Sequence, residues 1–170
     1  MRIAVYPGSF DPITNGHIDI LKRSLEVFDK VVVLVAVNDL KKSRFTLEQR
    51  VEMIKEAVKG MKGVIVDSTK GLTVDYAKKI GAKHLIRGLR AITDFDYEFQ
   101  LAATNHYIDN SIDMVFFMAN HENTFISSST IDEMYKENVD ISKLVPESVL
   151  KMYKKIGSEW SNFLNQLIIN

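Results

Sequence analysis

The sequence has no cysteine, which excludes disulfide bridges and thiolate chemistry. It also lacks any apolar run near the ~20 residues that a membrane-spanning helix needs, so we expect no membrane partner. There is no P-loop lysine pattern, no G-x-G-x-x-G and no G-x-S-x-G element. The main support for a P-loop kinase, a dinucleotide dehydrogenase or an acyl transferase is therefore missing.

The chain has no excess of either charge, because 22 lysines and arginines balance 22 aspartates and glutamates. Non-specific binding to nucleic acid needs a basic face, and the lysines here are dispersed. We therefore expect no nucleic-acid partner, and any phosphate site must come from local clustering. The N-terminus leads into an apolar run without a basic leader, and the lack of cysteine fits a reducing compartment, so we expect a cytoplasmic location.

Short apolar runs alternate with stretches of helical spacing along most of the chain. Five strands are predicted, at residues 3–5, 31–37, 64–66, 84–86 and 114–118. The second run is uninterrupted and rich in valine, which is typical of a parallel strand covered on both faces. Helical spacing fills the segments between the runs, and residues 46–49 match a capping box. The pattern predicts an α/β fold with a doubly wound, five-stranded parallel sheet.

The 170 residues are enough to bury a core without metal or cross-links, and we predict a single domain over residues 1–170. Residues 146–170 read as a helical C-terminal extension whose helices cap the sheet or extend an interface. The phenylalanines, including Phe95 and Phe99 at helical spacing, are interpreted as core residues.

The strongest chemical signal follows the first strand, in residues 6–17, YPGSFDPITNGH. Gly8 and Gly16 allow close backbone approach or a positive φ, whereas the two prolines restrict the loop. A helix that begins here directs unpaired N–H groups and its positive dipole end at a ligand, and phosphate is the natural one. His17 adds a directional donor at the first turn. A lone histidine is more often a cap or a surface residue, but this placement favours ligand contact.

Three further clusters follow predicted strands, at the sheet edge where ligands bind in such folds. They are Lys41 with Lys42, Arg87 with Arg90, and the serines at 127–129. Each has a plain alternative, namely solvated lysines, arginines that pair with Glu98 and Asp94, and an ordinary serine N-cap. Taken together, the clusters are suited to holding several phosphates.

These elements resemble the bacterial phosphopantetheine adenylyltransferase family, within the nucleotidyltransferase superfamily. The resemblance covers about residues 1–150. It rests on residues 6–17, on Lys41-Lys42 with FTLE at 45–48, on IRGLR at 86–90 with Tyr97-Glu98, and on FISSS at 125–129. The T-x-G-H element marks the superfamily, whereas I-R-G-L-R joined to the N-terminal loop is specific to the family.

The resemblance implies a Rossmann-like enzyme that moves AMP from ATP to 4′-phosphopantetheine, giving dephospho-coenzyme A and pyrophosphate in coenzyme A biosynthesis. It implies Mg²⁺ as cofactor and a homohexamer, and it assigns no protein ligand to the metal. His17 is implied as the catalytic residue that steadies the transferring α-phosphate. The implied acceptor contacts are Ser9, Lys41, Thr73 and Arg87. The implied ATP site comprises Ser9, Phe10, His17, Gly88, Leu89, Arg90, Glu98, Asn123, Thr124, Phe125, Ile126, Ser127, Ser128 and Ser129.

The chain departs from the family pattern at three positions. Ser9 stands where the family usually has threonine, Asn123 where it has an aromatic residue, and His106 where a basic residue is common. We therefore expect the loss of a stacking contact with the nucleotide and a pH-dependent charge at His106.

Two other functions are open. A related adenylyltransferase that acts on nicotinamide mononucleotide would share the T-x-G-H loop, although it should not need I-R-G-L-R in this form. A non-catalytic nucleotide-binding module would bind ATP without releasing pyrophosphate, and the intact His17 and serine run speak against it.

Overall fold

The computed structural model describes residues 1–37, 42–120, 122 and 125–168, except for the side chains of residues 93 and 159–168. The strands are β1 Ile3–Gly8, β2 Lys30–Ala36, β3 Val64–Thr69, β4 His84–Leu89 and β5 Asp113–Met118. The helices of the described residues are α1 Asn15–Val27, α2 Leu47–Ala57, α3 Thr73–Lys79, α4 Ile92–Ile108, α5 Ser128–Lys136 and α6 Glu147–Ile168. All strand pairs are parallel, in the order β3-β2-β1-β4-β5. The predicted doubly wound five-stranded sheet is confirmed.

The valine run of β2 shows why helices cover both faces of the sheet. Successive side chains of a strand point to opposite faces. Val31 and Val33 join one buried cluster, which also takes residues from α1, α2, α5 and α6. Val32 and Leu34 join a second cluster with residues of α3. Both faces of the strand are therefore apolar, as a two-sided parallel sheet requires.

The strand order reverses its direction of growth at β1, because β2 and β3 lie on one side of it and β4 and β5 on the other. β1 and β4 pair only through Ala4 with His84 and Val5 with Leu85. Beyond these pairs, the carboxyl ends of β1 and β4 continue without further strand pairing to each other. A crevice at such a reversal is where open α/β sheets bind ligands.

The C-terminal region forms one helix, α6, rather than the several helices that the sequence predicts. Its first turns bury Val149, Met152 and Tyr153, and Ser148 Oγ donates a 2.8 Å hydrogen bond to the Met53 carbonyl of α2. This part of α6 therefore closes the core beside α2. Within the described part of the chain, no helix has both the length and the apolar character needed to cross a membrane.

The interpretation of the phenylalanines as core residues is wrong for three of them. Phe95, Phe99 and Phe125 are 49%, 61% and 59% exposed. Glu98 and Asn105 define the buried side of α4, and Phe95 and Phe99 lie beside that side on the exposed part of the helix. The phenylalanines that do lie in the core are Phe10, Phe28 and Phe45.

Candidate active site

A cavity of about 390 Å³ opens at the carboxyl ends of β1, β4 and β5. The starts of α1, α4 and α5 complete its wall. It brings together most of the residues that the sequence nominated from distant segments. Those lining it are Ser9, Phe10, His17, Arg87, Gly88, Arg90, Glu98, Ile126, Ser127, Ser128 and Ser129.

Other nominated residues do not line this cavity. Leu89 is buried in β4, Phe125 is exposed, and Thr73 is the first residue of α3. The remaining nominated positions, Lys41, Asn123 and Thr124, lie outside the described residues, and their roles stay predictions.

The loop after β1 gains its shape from Phe10 rather than from a glycine. β1 continues to Gly8, further than predicted, and the positive φ of 45° falls on Phe10, not on Gly8 or Gly16. The Phe10 ring packs edge-on against Tyr6 and His17, with ring centroids 5.4 and 5.1 Å away. A Cβ added at Gly8 would meet Phe10 Cζ at 2.9 Å. Glycine is therefore needed at position 8 to seat this ring.

Replacing Gly8 by alanine is expected to push the Phe10 ring away from His17. Overpacking of this kind lowers the free energy of unfolding by about 1 to 3 kcal/mol, which denaturant unfolding measures. Gly71→Ala is the matched control, because its Cβ would meet only Thr69 Oγ1 at an ordinary 3.7 Å. Equal unfolding midpoints for the two variants would contradict the proposed role of Gly8.

His17 is part of the cap that starts α1. Thr14 is the N-cap residue, and its side chain accepts a hydrogen bond from the His17 backbone N–H. In return, the Thr14 backbone N–H donates to His17 Nδ1 at 3.0 Å. Nδ1 is thus an acceptor, and in the neutral ring the proton must lie on Nε2. The sequence analysis named a cap as the plain alternative for His17, and the structure shows this cap, whereas the expected ligand contact stays a prediction.

The charge state of His17 follows from its surroundings. Burial, together with the positive charges of Arg90 and Arg87, lowers the pKa of His17 to about 4. The imidazole is therefore neutral near pH 7. Among the described residues, none accepts a hydrogen bond from His17 Nε2. This N–H is therefore available to a ligand in the cavity that His17 lines.

Two residues that the sequence did not nominate, Asp11 and Arg50, hold the loop after β1 in place. The Asp11 carboxylate accepts hydrogen bonds from the backbone N–H groups of Arg44 and Phe45 at 2.7 and 2.9 Å. Arg50, only 4% exposed, donates to the Ser9 carbonyl at 2.9 Å. A signal existed for Arg50, because it is a charged residue among the apolar positions of a predicted helix.

Both nominated arginines have carboxylate partners, as the alternative interpretation of this cluster predicted. Arg87 pairs with Glu98 and Arg90 pairs with Asp94. Burial alone would lower the pKa of Arg87, but the hydrogen bonds and charge of Glu98 raise it above its usual value. The guanidinium groups therefore stay charged, and both line the cavity.

The serine run forms the start of α5. Ser127 is the N-cap and accepts from the Thr130 N–H at 3.0 Å, while Ser128 Oγ donates to the Pro12 carbonyl at 2.8 Å. The N-cap alternative is thus correct for Ser127. It does not exclude ligand binding, because the same helix start lines the cavity and presents N–H groups there.

The assembled site combines a neutral imidazole donor, two arginines and two helix starts. This donor set is suited to several phosphates, and it contains no free carboxylate dyad for acid–base catalysis. The described residues also hold no group of three acidic or histidine side chains that could cage a metal ion.

Comparison with known proteins agrees with this site. A cytidylyltransferase-like family model matches residues 5–134. The phosphopantetheine adenylyltransferase of Lachnoclostridium phytofermentans is 50% identical, over 95% of this chain and 99% of its own length. That of Syntrophus aciditrophicus is 50% identical over 91% and 94%, and that of Nautilia profundicola is 47% identical over 87% and 96%.

A crystal structure from Vibrio parahaemolyticus, described as a nicotinate-nucleotide adenylyltransferase, superposes with a TM-score of 0.69. It covers 90% of this chain and 99% of that chain at 20% identity, which supports the fold alone. The family model and the much closer sequence relatives decide the family. The chain belongs to the phosphopantetheine adenylyltransferases, within the nucleotidyltransferase superfamily.

Proposed function

We propose that the protein transfers AMP from ATP to 4′-phosphopantetheine, giving dephospho-coenzyme A and pyrophosphate, and that the transfer takes place in the cavity at β1 and β4. The observation that carries the proposal is the fixed proton of His17. His17 lines the same cavity as Arg87, Arg90 and the start of α5, and its Nδ1 is held by the Thr14 backbone N–H, which leaves Nε2–H as the donor. Such a donor can follow negative charge as it grows on a transferring phosphoryl group.

The reaction needs alignment more than acid–base chemistry. A phosphate oxygen of the acceptor attacks the α-phosphorus of ATP, and the bond from that phosphorus to the bridging oxygen of pyrophosphate breaks. The attacking oxygen is already anionic near neutral pH, since the second pKa of a phosphate monoester is about 6. No general base is required. The protein must bring two mutually repelling anions together and stabilise the charge that develops.

In this proposal, the residues that the sequence nominated are divided between the two substrates. Ser9 and Arg87 hold the acceptor phosphate together with Lys41, and Thr73 lines the acceptor's arm. The nucleotide lies against Phe10, Gly88, Arg90 and the segment 123–129. His17 stands between the two groups and donates to the α-phosphate.

Mg²⁺ is a further part of the proposal. It usually binds through one or two carboxylates plus substrate phosphates, and it keeps several waters. Asp94 and Glu98 are both engaged by arginines. The residues present therefore fit a Mg²⁺ ion that arrives on the ATP phosphates, where it would neutralise charge on the leaving pyrophosphate.

We also propose a cytoplasmic homohexamer. The support is an exposed aromatic pair on α4, where the Phe95 and Phe99 rings have centroids 5.9 Å apart and the residues are 49% and 61% exposed. Contiguous apolar patches of this kind commonly mark protein interfaces. Sedimentation velocity would measure the assembly directly, and a monomer at micromolar concentration would contradict it.

The test of the activity is an incubation with ATP, Mg²⁺ and one acceptor at a time. We expect pyrophosphate and dephospho-coenzyme A with 4′-phosphopantetheine, and no pyrophosphate with nicotinamide mononucleotide. Release with the second acceptor alone would assign the protein to that rival reaction. ATP binding without release in either incubation would identify a non-catalytic module.

A further inference from the structure

Two carboxylates of α4, one helical turn apart, each grip one arginine from the end of β4. The two oxygens of Glu98 accept from Nε and Nη2 of Arg87, the first at 2.8 Å, and Arg87 Nη1 donates to the Pro7 carbonyl at 3.1 Å. Arg90 repeats this arrangement. Its Nε and Nη2 donate to the two oxygens of Asp94 at 3.2 and 3.4 Å, and its Nη1 lies 3.5 Å from the Ile126 carbonyl.

Both grips leave the same part of the guanidinium group unused. Arginine has five N–H donors, and three are used in each case by the bonds just described. The remaining two donors are one N–H on Nη1 and one on Nη2. Two N–H groups of one guanidinium suit the paired oxygens of a phosphate. Each arginine is thus held by a carboxylate and a backbone carbonyl and still has donors for an anion in the cavity.

We propose that Asp94 and Glu98 are positioning residues that act through the arginines, Asp94 through Arg90 on ATP and Glu98 through Arg87 on the acceptor phosphate. This inference rests on the proposed division of the cavity between the two substrates. It gives Asp94 a role that the family resemblance did not supply. It also changes the role expected for Glu98, from a direct ATP contact to an indirect contact with the acceptor side.

The carboxylates are poorly suited to direct contact with a substrate. Both oxygens of each are occupied by the arginine, and the Glu98 side chain is only 7% exposed. A bare carboxylate would also repel the substrate phosphates. Asp94 accepts in addition from the Arg90 backbone N–H at 3.0 Å, so it fixes the chain as well as the side chain.

The structure also supplies a reason why the two effects can be separated. Arg90 reaches toward the residue before the N-cap of α5, where the nominated ATP segment lies. Arg87 instead bonds to the Pro7 carbonyl, beside the loop that carries Ser9. A loosened Arg90 therefore affects the α5 side of the cavity, and a loosened Arg87 affects the β1 side.

The experiment compares Asp94→Asn and Glu98→Gln with the wild type under steady-state conditions. Each amide keeps the size of the side chain but turns an NH₂ group against the guanidinium donors. We expect Asp94→Asn to raise the KM for ATP by about tenfold or more while the KM for 4′-phosphopantetheine stays nearly constant, and Glu98→Gln to do the reverse. Each variant thus controls for the other.

Further controls separate positioning from stability. Glu147→Gln removes an exposed ion pair with Lys151 outside the cavity and should leave both KM values unchanged. In an Arg90→Ala background, Asp94→Asn should have no additional effect on the KM for ATP. If Glu98→Gln does not fold, Glu98→Asp takes its place, since the shorter carboxylate keeps the charge and loosens the grip.

Several results would overturn the inference. A higher KM for ATP in Glu98→Gln would restore the direct ATP contact. Lower thermal stability with both KM values unchanged would make the pairs purely structural. Isothermal titration of ATP or 4′-phosphopantetheine alone repeats the comparison without turnover. If the wild type has no activity with 4′-phosphopantetheine, the proposed reaction is refuted. The binding measurements would still test the roles of the two carboxylates.

Discussion

Replacing His17 by alanine is expected to lower kcat by about 10²- to 10³-fold, the usual cost of removing one preorganised donor to a developing charge. The KM for ATP should change much less, because Arg90 and the start of α5 remain to bind the triphosphate. Steady-state kinetics with both substrates would show the split. A variant with normal turnover would exclude His17 from the chemistry.

The role of His17 in the helix cap complicates this substitution, and His17→Gln resolves it. Loss of a capping interaction costs about 1 kcal/mol of stability, so alanine removes both the cap and the donor. Glutamine at the same position can still accept from the Thr14 backbone N–H, as in a standard capping box. We expect both variants to lose turnover and only the alanine variant to lose the cap.

The pKa of His17 gives an independent test of its role as donor. A group with a folded pKa of about 4 is neutral from about pH 5 to about pH 8. The imidazole ¹⁵N shifts of His17 in the free protein should therefore stay constant over this range, with the proton on Nε2. A pKa near the usual histidine value of 6.5 would show that the ring is solvated, as in a surface histidine.

Replacing Arg87 by alanine should produce the second large effect, on stability and acceptor binding together. Glu98 is 5% exposed and would keep a buried charge without its partner. Breaking a buried pair in this way costs about 3 to 5 kcal/mol, and we expect the lower end of that range because the Arg87 side chain is 23% exposed. Denaturant unfolding measures this loss.

Two control variants separate the loss of the ion pair from the loss of acceptor binding in the Arg87 experiment. Lys151→Ala breaks the exposed pair with Glu147 and should cost less than about 1 kcal/mol. The double variant Arg87→Met with Glu98→Leu removes both charges and should regain much of the stability. Acceptor binding should stay weak in the double variant. Full recovery of the KM for 4′-phosphopantetheine would mean that Arg87 does not bind it.

The architecture was predictable because each signal behind it is local. An unbroken valine run allows only a strand with two covered faces, and the capping box at Thr46 and Gln49 is confirmed by both of its hydrogen bonds. The arginine and serine clusters at strand ends met in one cavity because parallel strands place their carboxyl ends together, whereas Lys42 does not line it and Lys41 lies outside the described residues. That much of the site follows from the order of elements alone.

What the sequence could not supply depends on contacts between distant segments. The spacing of Phe95 and Phe99 predicts a shared helical face, but not whether that face points inward. The buried Glu98 marks the inward side of α4, beside the phenylalanines and not opposite them, and its partner Arg87 comes from another element. The contact of Arg50 with the Ser9 carbonyl likewise depends on how α2 lies under the loop.

Asp94 and Glu98 lie on one helix, four residues apart, or about 6 Å along the helix axis. The spacing of the two carboxylates that hold the guanidinium groups is therefore set by helical pitch. An in-line displacement requires its reacting atoms to approach to about 3 to 3.5 Å. In the proposed reaction, a change in the winding of α4 is therefore expected to shift both arginines, and with them both bound anions, at once.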